Sequence, residues 1–288
     1  MFGNMDAAVA LIGFGEAGHT FACAGDWASH ARVYDRLTDD AAHAEAKWAE
    51  YRAAEVAGVA TLAEALADVG VILSLVTADQ ALAAAKAAAP LLRTGALFCD
   101  MNSVAPDTKR QAAQVIEAAG GRYVDVAVMS PVNPARLAVP LLLSGAGAAD
   151  AAQALQHLGF SKMRVLDGDV GRASAIKMIR SVMVKGIEAL TAECVLAAGR
   201  AGVIDEVLGS LGEEWLARAD YNLDRMMVHG LRRAAEMEEV VKTLEGLDIE
   251  PLMTLGTVLR QREMGALGLR QPDDGLDAKI EQISKRKA

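Results

Sequence analysis

Three groups of residues have types and spacings that can carry chemistry. The first is Gly13-Phe14-Gly15-Glu16-Ala17-Gly18, with Asp35 following 20 residues after Gly15 and Arg36 beside it. The second is Asp100-Met-Asn102-Ser103-Val-Ala-Pro106, which brings two uncharged donors together. The third is Lys177, with Arg180 and Ser181 on the next helical turn. A G-x-G-x-x-G run between an apolar strand and a helix forms a pyrophosphate cradle. Gly13 permits the tight turn, Gly15 admits the phosphates to the backbone, and Gly18 lets the helix pack on the strand. The free N–H groups and the dipole of the helix N-terminus favour the anion. A carboxylate at Asp35 can accept both ribose hydroxyls and repel a 2′-phosphate, which favours NAD(H). The guanidinium of Arg36 can hold that phosphate, which leaves NADP(H) open.

These groups need a scaffold, and the chain alternates short apolar runs with helical stretches. Strands are expected at 7–12, 31–34, 58–60, 70–75, 96–99, 122–128, 141–145 and 162–166. Helices are expected between them, including 16–27, 39–54 with an N-cap at Thr38, and one opened by a capping box at Thr61-x-x-Glu64. In such a sheet ligands bind beyond the strand C-termini, so the loops at 76–79, 100–106 and 128–134 should cluster. Asn102 and Ser103 then hold a substrate carboxylate or cap the following helix; Met129 and Ser130 are weaker candidates. The turn Gly168-Asp-Val-Gly171 marks a boundary, beyond which the chain reads as helix only. The fold class is therefore α/β: an N-terminal Rossmann-type, doubly wound, mainly parallel sheet (1–168), then an all-α domain (169–288), joined by one long helix over about 172–199.

That helix spans roughly 40 Å at about 1.5 Å per residue. Lys177, Ser181, Val184 and Glu188 fall on one of its faces. If Lys177 and Arg180 share the crevice, the second cation disfavours the charged amine and tunes Lys177 as a general base. The alternative is a lysine lying along a helix surface. Later helices are expected at 204–211, 215–231, 232–244 and 251–264, with a short final one. A helical domain of this kind suits burial against a second copy, so a homodimer is expected.

Composition narrows the partners. The 288 residues carry a net charge of −9 with both signs interspersed, which speaks against nucleic-acid binding. Cys23, Cys99 and Cys194 are scattered and odd in number, and read as buried reduced thiols of a cytoplasmic protein. No apolar run reaches the roughly 20 residues of a membrane span, and the start, Met1–Asp6, lacks the basic n-region of a signal peptide. The five histidines show no ligand spacing, so no metal site is implied.

On Gly13-x-Gly15-x-x-Gly18, Asp100-x-Asn-Ser-x-x-Pro106 and Lys177, the whole chain resembles the β-hydroxyacid dehydrogenase superfamily. That group includes 3-hydroxyisobutyrate dehydrogenase, tartronate semialdehyde reductase and 6-phosphogluconate dehydrogenase. The closest likeness is to a poorly characterised branch with a phosphogluconate-dehydrogenase-like helical domain. The resemblance implies a 3-hydroxyacid or sugar-acid substrate, with Lys177 as acid/base, Asn102 and Ser103 on the substrate, and Val76 and Thr77 beside the nicotinamide.

Departures accompany it. The family's Asp-Ala-Pro-Val-Ser-Gly-Gly is here Asp125-Val-Ala-Val-Met-Ser130-Pro131, which puts the substrate turn in question. The usual Asn four residues after the lysine is Ser181. The glutamate of the decarboxylating enzymes is Val184, which disfavours decarboxylation by that route. A later Lys-Asp pair aligns with Ala235-Glu236, where Arg232 can serve as anion partner. His229, Arg232, Arg233 and Glu236 then form either a substrate-end cluster or a surface salt-bridge face. Imine reductases share the architecture but usually place another residue at the lysine position. An inactive nucleotide-binding protein is the remaining alternative.

Overall fold

The computed structural model describes residues 9–287. The expected start of the first strand at Ala7 and Ala8, the segment Met1–Asp6 and the terminal Ala288 lie outside them. The chain divides into two compact units, one ending at Lys177 and the other beginning at Met178.

The first unit is built on one sheet. Its strands are β1 (Val9–Ile12), β2 (Arg32–Tyr34), β3 (Ala57–Gly58), β4 (Val71–Ser74), β5 (Leu97–Asp100), β6 (Arg122–Val128), β7 (Leu141–Ser144) and β8 (Met163–Val165), in the order β3-β2-β1-β4-β5-β6-β7-β8. Every pairing is parallel except β6 with β7. The exception follows from the connection. Residues 129–140 contain only the short 3-10 turn Arg136–Ala138, and no crossover helix returns the chain for parallel pairing. The strands β1, β5 and β7 are buried along their whole length, as a sheet covered on both faces requires. The covering helices are α1 (Glu16–Ala24), α2 (Ala44–Ala53), α3 (Leu62–Leu66), α4 (Ala81–Ala88), α5 (Pro106–Ala118) and α6 (Ala148–His157). Strand order reverses between β1 and β4, where open α/β sheets bind ligands.

Local chemistry explains the boundaries. The Thr61 capping box is present, with Glu64 N–H donating to Thr61 Oγ1 at 3.2 Å and Glu64 Oε2 accepting from Thr61 N–H at 3.3 Å. The expected helix from Asp39 starts instead at Ala44. Asp35 caps a 3-10 turn over Arg36–Asp39, Thr38 Oγ1 turns back to Asp35 O (2.8 Å), and Asp40 Oδ1 accepts from Ala42 N–H (3.0 Å). Short polar side chains here satisfy the backbone outside a helix.

In the second unit, α7 (Arg172–Ala201) begins within the first unit and continues here. It is followed by α8 (Ile204–Leu211), α9 (Trp215–Glu245), α10 (Leu252–Gly265) and α11 (Leu276–Lys287). The expected break between 231 and 232 is absent. No proline or turn cluster interrupts α9, and its buried stripe runs on through Met226, Met227, Gly230, Ala234 and Met237. Gly230 lets α10 approach closely: a Cβ there would lie 2.3 Å from Gln261 O and 2.5 Å from Gly265 N. Among the described residues no helix is long and apolar enough to cross a membrane.

Candidate active site

The turn after β1 is set by Gly13. Its φ of +92° suits only glycine, and a Cβ would lie 2.5 Å from Leu75 O. Gly18 is equally constrained, since a Cβ would meet Gly13 O at 2.8 Å. Gly15 differs, because a Cβ there would meet nothing within 4 Å. Its lack of a side chain leaves space at the N-terminus of α1, as a close-approaching pyrophosphate requires. Glu16 is exposed and Ala17 half-buried at the start of that helix. Phe14 is wholly buried against Tyr51 and His19. Both its backbone groups are engaged: its N–H donates to Asp35 Oδ2 (2.7 Å) and its carbonyl accepts from Lys47 Nζ (3.0 Å).

Asp35 is fixed beside this turn, its second oxygen accepting from Leu37 N–H at 3.0 Å. Arg36 is exposed and donates to Gln80 Oε1 at 2.7 Å. The residues present fit a dinucleotide: an open glycine, a helix N-terminus and a carboxylate on the end of β2.

Beyond β4 and β5 the loops are tied together. Asn102, 4 % exposed, accepts from Val76 N–H through Oδ1 (2.7 Å) and donates to Ser74 Oγ through Nδ2 (3.0 Å). Its side chain therefore clamps the two loops, and the neighbouring Ser103 is half-buried. Thr77 is exposed. Lys177, half-buried in the second turn of α7, donates to Ser103 Oγ at 2.5 Å. Residues 74 positions apart are thus brought into direct contact.

Beneath this pair lies a group of buried charges. Lys109, Asp100 and Asp125 are each 0 % exposed. Lys109 Nζ stands 3.0 Å from Asp100 Oδ1 and 3.4 Å from Asp125 Oδ1, and donates to Asp100 O at 2.6 Å. Tyr123 donates its hydroxyl to Asp100 Oδ2 at 2.5 Å; burial, then the Asp100 charge, pushes this phenol well above its usual range.

A model described as the NAD binding domain of 6-phosphogluconate dehydrogenase matches residues 8–163, and one described as a domain of unknown function matches residues 198–264. A conserved hypothetical protein from Sinorhizobium meliloti is 35% identical over 98% of this chain and 97% of that one, with a TM-score of 0.72. The chain belongs to the β-hydroxyacid dehydrogenase superfamily. The superfamily fold is shared with the 3-hydroxyisobutyrate dehydrogenase of Mycobacterium tuberculosis (16% identity, 99% and 100% coverage, TM-score 0.71). It is also shared with a reductive aminase from Aspergillus terreus (17%, 96% and 98%, TM-score 0.54). Residues 8–163 are therefore an NAD(P)-binding domain, and the superfamily assignment supports an NAD(P)-dependent oxidoreductase.

Against the superfamily pattern, the altered turn keeps its serine exposed, with Ser130 Oγ donating to Pro131 O at 3.3 Å. Arg180, Ser181 and Arg232 belong to the second unit. Arg180 and Arg232 are exposed there, whereas Ser181 is buried and accepts from Lys185 Nζ at 3.4 Å. Glu236 pairs with Lys185 of α7 at 2.9 Å. Arg233 is buried and paired with Glu188. It is therefore not part of an exposed salt-bridge face. The three cysteines are free, but only Cys99 is fully buried; Cys23 is exposed and Cys194 half-buried. Cys23 sits on the outer face of α1, where Phe21 and Ala22 take the inner positions. Among the described residues no three His, Cys, Asp or Glu gather as a metal would need.

Sequence reasoning missed Lys47, Lys109 and Ser174. For Lys109 a trace exists: Pro106, Lys109, Ala113 and Ile116 fall at i, i+3, i+7, i+10, so the lysine interrupts the buried stripe of α5.

Proposed function

We propose that the protein is an NAD(H)-dependent dehydrogenase acting on the hydroxyl-bearing carbon of a 3-hydroxyacid or sugar acid, with Lys177 as general acid/base. The observation that carries this reading is the contact of Lys177 Nζ with Ser103 Oγ in the unit that holds the glycine turn. A bound nicotinamide supplies the hydride acceptor, or in reverse the donor. The chain's own residues do the rest. Lys177 in its neutral form takes the proton of the substrate hydroxyl, and in its charged form returns it to the developing alkoxide. Ser103 accepts from the ammonium and has its own O–H to give to the substrate carboxylate. Asn102 fixes Val76 N–H and so shapes the loop that would face the nicotinamide. Asp35, held by Phe14 and Leu37, would accept the ribose hydroxyls, which favours NAD(H) over NADP(H). Ser130, Arg180, Ser181 and Arg232 are proposed further substrate contacts.

The fold also hosts imine reduction, and the lysine is the feature that separates the two readings. The test is a panel of hydroxyacids, sugar acids and cyclic imines with each cofactor, run on wild type and Lys177→Met. Turnover of a hydroxyacid, reduced about 10²–10⁴-fold in the variant with NADH affinity kept, is expected. Wild-type activity in the variant overturns the role of Lys177. Turnover of imines alone points to the reductase, and cofactor binding without any turnover points to an inactive protein.

We further propose a homodimer formed through the helical unit. Leu252, Met253, Leu255 and Leu259 of α10 stand 47–69% exposed, an apolar run that a second copy would cover. Sedimentation should give twice the chain mass, and Met253→Glu with Leu259→Glu should give monomers.

A further inference from the structure

The Asp100–Lys109–Asp125 group reaches both members of the Lys177–Ser103 pair. On one side Asp125 Oδ2 accepts from Gly171 N–H (3.1 Å), Ser174 N–H (3.0 Å), Ser174 Oγ (3.0 Å) and Ser144 Oγ (3.2 Å). Ser144 Oγ in turn accepts from Ala173 N–H at 3.0 Å. The N–H groups that the start of α7 leaves without helical partners are thus met by side chains from two strands, one turn before Lys177. On the other side Asp100 Oδ1 accepts from Asn102 N–H at 2.9 Å, which fixes the backbone that leads into Ser103.

Lys109 joins the two sides. Two buried carboxylates need more than one cation to balance them, and the remaining charge is met by the positive end of α7. A buried ion left without its partner is strongly unfavourable, so loss of the lysine would remove the contact that ties the two carboxylates together and loosen the groups they hold.

We propose that Lys109, Asp100, Asp125 and Ser174 form a positioning unit that holds the start of α7, and with it Lys177, against Ser103. None of the four needs to touch substrate or cofactor. The proposal rests on the reading of Lys177 as acid/base for its meaning, but its test does not depend on turnover.

The full-length protein would be labelled with an amine-reactive acylating reagent across a pH series, and the modification of Lys177 followed by mass spectrometry. The variants are Lys109→Met, Ser174→Ala and Ser174→Thr. Loss of one holding hydrogen bond should raise the Lys177 labelling rate roughly two- to tenfold and shift its pH profile. Ser174→Thr, which keeps the hydroxyl, should restore wild-type behaviour. Labelling of the buried Lys185 in the second unit should not change, and NADH affinity should stay within about twofold, a change worth only ~0.4 kcal/mol. An unchanged Lys177 profile in Ser174→Ala overturns the proposal, and that variant decides the matter if Lys109→Met does not fold. Acceleration of Lys177 and Lys185 together also overturns it, since that reports general loosening. If Lys177→Met proves fully active while the labelling result holds, the catalytic reading fails and the positioning unit stands.

Discussion

Both units bury charge, and they do so for different ends. In the second unit Glu188 on α7 meets Arg233 on α9 and accepts from Gln261 Nε2 on α10 at 3.0 Å, while Lys185 meets Glu236 at 2.9 Å. Glu188 and Glu236 there each meet a cation from a neighbouring helix, and these partners sit in the interiors of their helices. In the first unit two carboxylates share one ammonium, and the excess is met by the N-terminus of α7. Charges balanced in pairs can only join helices to one another. A cluster with an excess, settled by a helix terminus, fixes where that helix starts, and therefore where Lys177 stands.

The largest expected effect tests the first half of that contrast. Glu188→Gln removes the counter-charge of Arg233, a residue 7 % exposed. Breaking such a pair from one side costs about 3–5 kcal/mol, to be read by chemical denaturation. The pH profile of Lys177 labelling should stay as in wild type. If it moved as far as in Lys109→Met, the two clusters would not be separable in role, and the comparison would break.

A middle-sized effect separates two kinds of glycine in the same way. Gly230→Ala forces a methyl against the backbone of α10, and overpacking of that kind costs about 1–3 kcal/mol. Gly15→Ala places its methyl in open space at an ordinary φ of −86°, so stability should stay within about 0.5 kcal/mol. Its NADH affinity should nonetheless fall about tenfold or more, equivalent to ~1.4 kcal/mol. Titration of intrinsic fluorescence alongside a melt reads both quantities. A Gly15→Ala variant that binds NADH normally would remove the glycine turn from the cofactor site.

The same contrast shows what was legible in the sequence. The Gly13–Gly18 turn could be read because its roles are local: a positive φ, a close backbone and an open helix end lie within six residues. The mainly parallel sheet followed from apolar runs spaced by helices, whereas its strand order came only from the structure. The contact of Ser103 with Lys177 was legible only through resemblance, since nothing in either segment points to a partner 74 residues away. Lys109 sits in Pro106-Asp-Thr-Lys-Arg-Gln, which looks like a solvated first turn, and its partners come from two separate strands. The continuity of α9 was hidden by its charges. Arg232, Arg233 and Glu236 look like a polar break, yet Arg233 is inside the unit because Glu188 is there to meet it.

The smallest perturbation asks how dry the first cluster is, and changes no residue at all. Cys99 adjoins Asp100 on β5, is wholly buried, and has its thiol pushed up to about 12, first by burial and then by the Asp100 charge. At pH 8 roughly one thiol in 10⁴ would then be ionised, and only the thiolate attacks a disulfide reagent. Cys23 is exposed and Cys194 half-buried, so the order of reaction should be Cys23, then Cys194, then Cys99. Cys99 should react only as fast as β5 opens, so its rate becomes a clock for local unfolding around the buried carboxylates. Mass spectrometry of each thiol against time gives that rate directly. A Cys99 that reacted ahead of Cys194 in the folded protein would mean that water and reagent reach the Asp100 side of the cluster. Lys109 would then be screened from both carboxylates, and the difference in kind between the two buried groups would reduce to one of degree.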